Sequence, residues 1–196
     1  MALLKLKTKI SVEDYLEGEK ISPVRHEFVE GKIFTMTGTS NNHNIVAGSI
    51  YSVLLIHLRD SPCLPFFGDI RVRVTKNVYY YPDVLVSCEE NPKNPYFRNA
   101  PILIIEVTSP FKKRIDRREK LLFCKQMQSV QEYAVVDQHK INIELHCRQP
   151  NGSRITYFFD ESDEEIEFQS VKLTLSISEI CRCVRFEKNA NTDDND

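Results

Sequence analysis

A chain of 196 residues with 41% hydrophobic and 28% charged residues has the profile of one average globular domain, which excludes a wholly disordered chain, a collagen and a repeat array. No run approaches eighteen apolar residues, and MALLKLKTKI lacks the long apolar core of a signal peptide, so a cytoplasmic protein without a membrane span is expected. The net charge of −2 hides an asymmetry: residues 1–125 balance at +5 and residues 126–196 at −7, so a locally positive field is compatible with the near-neutral total.

In chain order, SVEDYLE (11–17) predicts a short helix capped by Ser11. HEFVEGKIFTM (26–36) predicts a β-hairpin turning at Glu30-Gly31, with Phe28, Ile33 and Phe34 as its apolar content. A polar loop follows, where Asn41 or Asn42 is expected to cap a helix over 43–59 that carries Ile45, Ile50, Val53, Leu54 and Leu58. Residues 64–75 alternate as a half-exposed strand, with Arg71 and Arg73 on the polar face. Residues 79–87 read as a second strand and 101–108 as a third, its apolar run indicating burial on both faces. The segment 113–127 predicts a basic amphipathic helix, and 131–137 a fourth strand. A second hairpin, 142–148 with 154–160, turns at Asn151-Gly152. DESDEEIE (160–167) is expected as a solvated loop or exposed strand edge, 172–181 as a last strand or short helix, and 188–196 as a frayed acidic tail beyond a single domain, 1–187. The sum is a mixed α/β sheet flanked by helices, with a hairpin added at each end.

The six cysteines form no C-x-x-C pair and their spacings fit no common zinc site; in a reducing compartment all six are expected to be reduced.

Chemistry is expected where carboxylates interrupt apolar strands. Glu106 breaks ILIIEVTS and Asp83 sits in YYYPDVLV. A buried carboxylate needs a cation, a hydrogen-bond network or a proton. If the two strands are neighbours, the acids converge in a manner suited to a hard divalent ion such as Mg²⁺ or Mn²⁺. The alternative is that each merely bonds a loop amide or an arginine. Asp69, after Gly68, is either a further acidic group or a turn residue. Glu27 is either an added acid or a hairpin surface charge. His43, at the start of the long helix, either points at the site or caps the loop through hydrogen bonds to free amides, and is taken as structural.

These stretches resemble the PD-(D/E)XK nuclease superfamily, and within it the Uma2-like restriction endonuclease family. RHEFVEGKIFTM, His43-Asn44, GDIRVRV, YYYPDVLV, LIIEVTSP, IDRREK and QEYAVVDQ carry the resemblance in order from Arg25 to Gln138. It implies a restriction-endonuclease-like core and Mg²⁺-dependent hydrolysis of DNA phosphodiester bonds by a homo-oligomer, expected as a dimer. Asp83, Glu106 and the Val107 carbonyl would hold the metal, and Lys120 would position or deprotonate water or neutralise the transition state. The superfamily's lysine two residues after the second acid is replaced by Thr108; Lys120 on the next helix corresponds to the lysine of the Uma2-like branch, or else is an exposed residue pairing with Asp116. The family's usual tyrosine four residues on is Cys124. Lys112, Lys113, Arg114, Arg117 and Arg118 would contact phosphates, with Arg71 and Arg73 extending the track. The competing expectations are a nuclease-fold DNA-binding module with little or no catalysis, and a protein-interaction subunit using the acidic 160–167 loop.

Overall fold

The structure, a computed structural model, describes residues 9–36, 38–90, 92–108 and 114–186, and their side chains apart from 114–118. Among the described residues, two large sheets and a two-stranded one make up the β structure. The larger contains β3 (Leu64–Phe67), β6 (Val84–Ser87), β8 (Pro101–Thr108), β9 (Glu132–Asp137), β10 (Ile143–Arg148) and β11 (Arg154–Phe159) in the order β11-β10-β9-β8-β6-β3. Only β8 and β9 run parallel in it; the other pairs are antiparallel. The parallel pair is joined by α3 (Arg114–Gln126), as a parallel crossover requires. The smaller sheet has the order β2-β1-β5-β4-β7, from β1 (His26–Val29), β2 (Lys32–Thr35), β4 (Arg71–Thr75), β5 (Val78–Tyr80) and β7 (Phe97–Arg98).

Period-two alternation assigns the faces of the larger sheet. Val84, Val86, Leu103, Ile105 and Val107 pack on Val46, Ala47, Ile50 and Leu54 of α2 (Asn41–His57). Ile50 and Leu54 are fully buried, each worth about 2 kcal/mol of transfer free energy. On the opposite face Leu85, Ile104, Tyr133 and Val135 meet Cys124 of α3 and Val72, Val78 and Tyr80 of the smaller sheet. Glu106 follows the parity of Ile104, so it points toward α3 and the smaller sheet. A third cluster seats Tyr15 of α1 (Val12–Ile21) on Phe28, Tyr79 and Phe97. The pair β12 (Glu165–Phe168) and β13 (Leu173–Ser176), with the short α4 (Ile177–Ile180), closes the α2 side through Ile166, Phe168, Leu173 and Leu175.

Several expectations are corrected. The single strand expected over 64–75 is two strands in different sheets, because Gly68 takes a left-handed φ of 71° and turns the chain from β3 into β4. The strand expected over 79–87 is likewise divided between β5 and β6 at Tyr81-Pro82-Asp83, where proline supplies no ladder donor. The two crossings lie side by side, pinned by the Gly68 amide donating to the Asp83 carbonyl at 3.0 Å. The helix α2 is capped by Ser40, whose hydroxyl accepts from the His43 amide, rather than by Asn41 or Asn42. Arg71 is buried, its guanidinium near the rings of Tyr15 and Tyr81, so it does not extend a surface track; Arg73 is exposed.

The cysteines are not all reduced. Cys63 and Cys88 are joined by an S–S bond of 1.94 Å. The register Leu64↔Ser87 of the antiparallel β3–β6 pair puts these two residues opposite each other one step beyond the ladder, which spacing in sequence does not reveal. Cys124, Cys147, Cys181 and Cys183 are free thiols. The tail 188–196 and Lys112 and Lys113 lie outside the described residues, as do the side chains of Arg114, Arg117 and Arg118.

Candidate active site

Four charged side chains from separate parts of the chain line a cavity of about 250 Å³, and a fifth residue backs one of them. Asp83 enters from the crossing between the sheets, Glu106 from β8, Lys120 from α3, Glu27 from β1 and His43 from the first turn of α2. Asp83 is held at both oxygens: Oδ2 accepts from the Val107 amide at 2.7 Å, and Oδ1 lies 2.9 Å from His43 Nε2. Lys120 Nζ donates to Glu27 Oε1 at 2.8 Å and to the Tyr81 carbonyl at 3.1 Å, and lies 2.9 Å from Glu106 Oε1. That last contact is a buried ion pair, and it is the contact that answers Glu106 Oε1 among the described residues. Glu27 also accepts from the Tyr81 amide at 3.1 Å, so both backbone groups of Tyr81 serve the cluster.

The electrostatics follow from burial opposed by charge. Burial pushes Glu106 up to about 7, with the nearby Asp83 charge adding to it and Lys120 working against it. Burial also opposes the Asp83 charge, but the His43 bond, Lys120 and the Val107 amide outweigh it and hold the carboxyl below its ordinary value. Burial disfavours the Lys120 ammonium, yet Glu106, Glu27 and Asp83 together raise its pKa well above the usual lysine value. Lys120 is therefore a firmly held cation, and burial poises Glu106 to gain or lose a proton near neutrality.

The donor set fits a hard divalent ion. The Val107 amide points to the β6 edge at Asp83, while the Thr108 carbonyl points the other way to the Gln138 amide; strand alternation turns the Val107 carbonyl toward Asp83 as well. Among the described residues no three His, Cys, Asp or Glu side chains form a ready metal cage. Two carboxylates and a backbone carbonyl instead suit Mg²⁺, which binds through one or two carboxylates and keeps several waters.

Of the other residues weighed from sequence, Glu27 joins the cluster. Asp69 does not: its exposed carboxylate pairs with Arg25 at 3.2 Å. Thr108 is buried and lines the cavity. Cys124, one helical turn beyond Lys120, is core, and burial keeps its thiol protonated. Sequence reasoning missed His43 as the partner of Asp83, and it missed Glu19. That buried carboxylate accepts from the Tyr81 hydroxyl at 2.8 Å and lies 2.7 Å from His26 Nδ1, fixing the residue whose backbone holds Lys120 and Glu27. The one local signal for His43 is its place at the mouth of a polar loop; Glu19 carries none.

The model of a family described as "Uma2: Putative restriction endonuclease" matches residues 12–178. The chain belongs to the Uma2 family. Two uncharacterized relatives come from Synechocystis sp. (strain ATCC 27184 / PCC 6803 / Kazusa). The protein slr1290 is 29% identical over 181 residues, covering 91% of this chain and 94% of its own. The protein sll1609 is 31% identical over 171 residues, covering 85% and 97%. A crystal structure described as "a putative nuclease belonging to DUF820", from Anabaena variabilis ATCC 29413, superposes with a TM-score of 0.70. It is 21% identical and covers 87% of this chain and 97% of that one. The restriction-endonuclease-like mixed α/β fold expected from the sequence is thus the fold of this Uma2 chain.

Proposed function

We propose that this Uma2 protein is a divalent-cation-dependent DNA endonuclease that hydrolyses phosphodiester bonds. The observation that carries the reading is the meeting of Asp83, Glu106 and Lys120 in one cavity, with the buried Glu106 carboxylate ion-paired to Lys120 at 2.9 Å. Asp83, Glu106 and the Val107 carbonyl would hold Mg²⁺, or Mn²⁺ with the same oxygen donors. When bound, the ion supplies charge stabilisation at phosphoryl oxygens and lowers the pKa of a coordinated water.

The chain's own residues supply the remainder. His43 and the Val107 amide hold Asp83 in its ionised form and in one orientation. Lys120 keeps its proton, so its role is to neutralise negative charge developing on the phosphoryl group rather than to act as a base. Glu27 and the Tyr81 carbonyl aim that ammonium. Lys112, Lys113, Arg114, Arg117 and Arg118, next along the chain from β8, would bind flanking phosphates. Cutting both strands of a duplex calls for two sites, which a two-fold dimer provides.

The test is nicking of supercoiled plasmid by the purified protein with Mg²⁺ or Mn²⁺. Asp83→Ala and Glu106→Ala are expected to abolish nicking while retaining the far-UV spectrum of the parent. Salt-dependent DNA binding with no cleavage under either ion would reduce the protein to a binding module and overturn the proposal.

A further inference from the structure

Beside the charged cluster stands an apolar wall that the hydrolytic reading does not use. The strand β2 is an edge of the smaller sheet as described, and all four of its residues are exposed. Its register pairs Phe34 with Glu27, so the Phe34 ring rises on the same face, one cross-strand step from the carboxylate that holds Lys120. Phe34 is 50% exposed and Met36 37% exposed, and both line the cavity together with Val29 and Tyr80. The opposite face of the hairpin is committed to folding, with Phe28 buried in the cluster under Tyr15. Phe34 has no such duty.

Charge alone gives a nucleic acid little hold on this cavity. Glu27, Asp83, Glu106 and Glu119 line it against Lys120, so its walls are net negative. Contacts that do not depend on phosphate charge would add to whatever hold a bound cation and Lys120 have on the phosphoryl group. An exposed aromatic ring next to a sulfur-bearing side chain offers one, because every nucleobase has a π-face to stack on it. A continuous duplex keeps those faces stacked inside the helix, out of reach of a ring beside the backbone.

Resting on the nuclease reading of this site, we infer that Phe34 and Met36 form a stacking platform for the base flanking the scissile phosphate. The substrate class is then DNA with an unstacked base at that step: single-stranded DNA, or a duplex opened there.

The test uses a short single-stranded oligonucleotide carrying one 2-aminopurine, the same sequence as a perfect duplex, and a duplex with the 2-aminopurine as an extruded base. Binding is followed by fluorescence in Ca²⁺, and cleavage in Mg²⁺ in parallel. The single strand and the extruded base are expected to bind with quenching, and the perfect duplex to bind more weakly and without it. Phe34→Ala is expected to weaken binding of the first two by about ten- to a hundredfold, with Phe34→Tyr restoring it. The loss is expected to stay constant between low and high salt, since stacking carries no counterion release. Equal binding by Phe34→Ala and the parent, absence of quenching, or equal affinity for the perfect duplex overturns the platform. A change of oligomeric state in Phe34→Ala with binding untouched also overturns it, reassigning the edge to contact between copies. Quenched binding without cleavage upholds the platform while the nuclease reading fails; cleavage indifferent to Phe34 does the reverse.

Discussion

Glu106 and Lys120 meet as carboxyl and ammonium in a place where neither is fully solvated, and both pKa values lie above their ordinary values. A carboxyl raised from 4.5 to about 7 on folding contributes stability that is complete below the lower value and lost as pH rises through the upper one. For the metal-free protein this predicts a fall in unfolding free energy on the order of 3 kcal/mol between pH 5 and pH 8. Urea titrations at a series of pH values should show that slope in the parent and a flatter one in Glu106→Gln. A cation entering the site competes with the same proton, so Mg²⁺ affinity should rise with pH to about 7 and then level off.

His43 and Asp83 form the other half of the centre. Partners that orient a metal-binding group commonly matter by 10- to 100-fold in affinity or activity. His43→Ala should therefore weaken Mg²⁺ binding and slow plasmid nicking by about that factor while the protein still folds; a variant nicking at the parent rate would show that Asp83 needs no such support. Asp83 and Glu106 were legible as candidates because each interrupts an apolar strand. His43 was not, because a histidine opening a helix carries the same local signature whether it bonds a loop amide or a distant carboxylate.

Among the elements, strand pairs carry the geometry. The β3–β6 pair ends at Asp83 on one side of the molecule and at the Cys63–Cys88 bond on the other. The bond spans 25 residues, for which loop-closure entropy gives about 3.5 kcal/mol. The Cys63→Ala, Cys88→Ala double variant should lose about that much stability in oxidising buffer. A reductant should lower the melting temperature of the parent and leave the double variant unchanged; equal melting of the two proteins would remove the cross-link from the account.

The helices and hairpins were legible through caps, periodicity and the Glu30-Gly31 and Asn151-Gly152 turns. Both turn glycines have positive φ, as does Glu30. The breaks at Gly68 and Pro82 were visible residues, but their consequence was not. Alternation continues on either side of each, and nothing local says that a strand changes sheets there.

At the level of the whole molecule, charge is partitioned. The basic residues 112–118 follow the strand that bears Glu106, while the acidic residues 160–167 belong to the segment closing the α2 side. Replacing Lys112, Lys113, Arg114, Arg117 and Arg118 by alanine should weaken binding of all DNA sequences alike. It should also reduce the slope of log affinity against log salt by as much as about 4 if each meets one phosphate. An unchanged slope would assign these residues to another purpose. No helix among the described residues is long and apolar enough to cross a membrane.

The amino-acid order by itself determined the element types, the family resemblance and the pair of acids, because periodicity, turn chemistry and a charge within an apolar run are all local signals. Only the folded chain decided that Glu27 and not Asp69 joins them, that His43 grips Asp83 and that two of the cysteines are bonded. These depend on which of many distant residues become neighbours, and that is settled by strand register and sheet crossing rather than by any stretch of sequence taken alone.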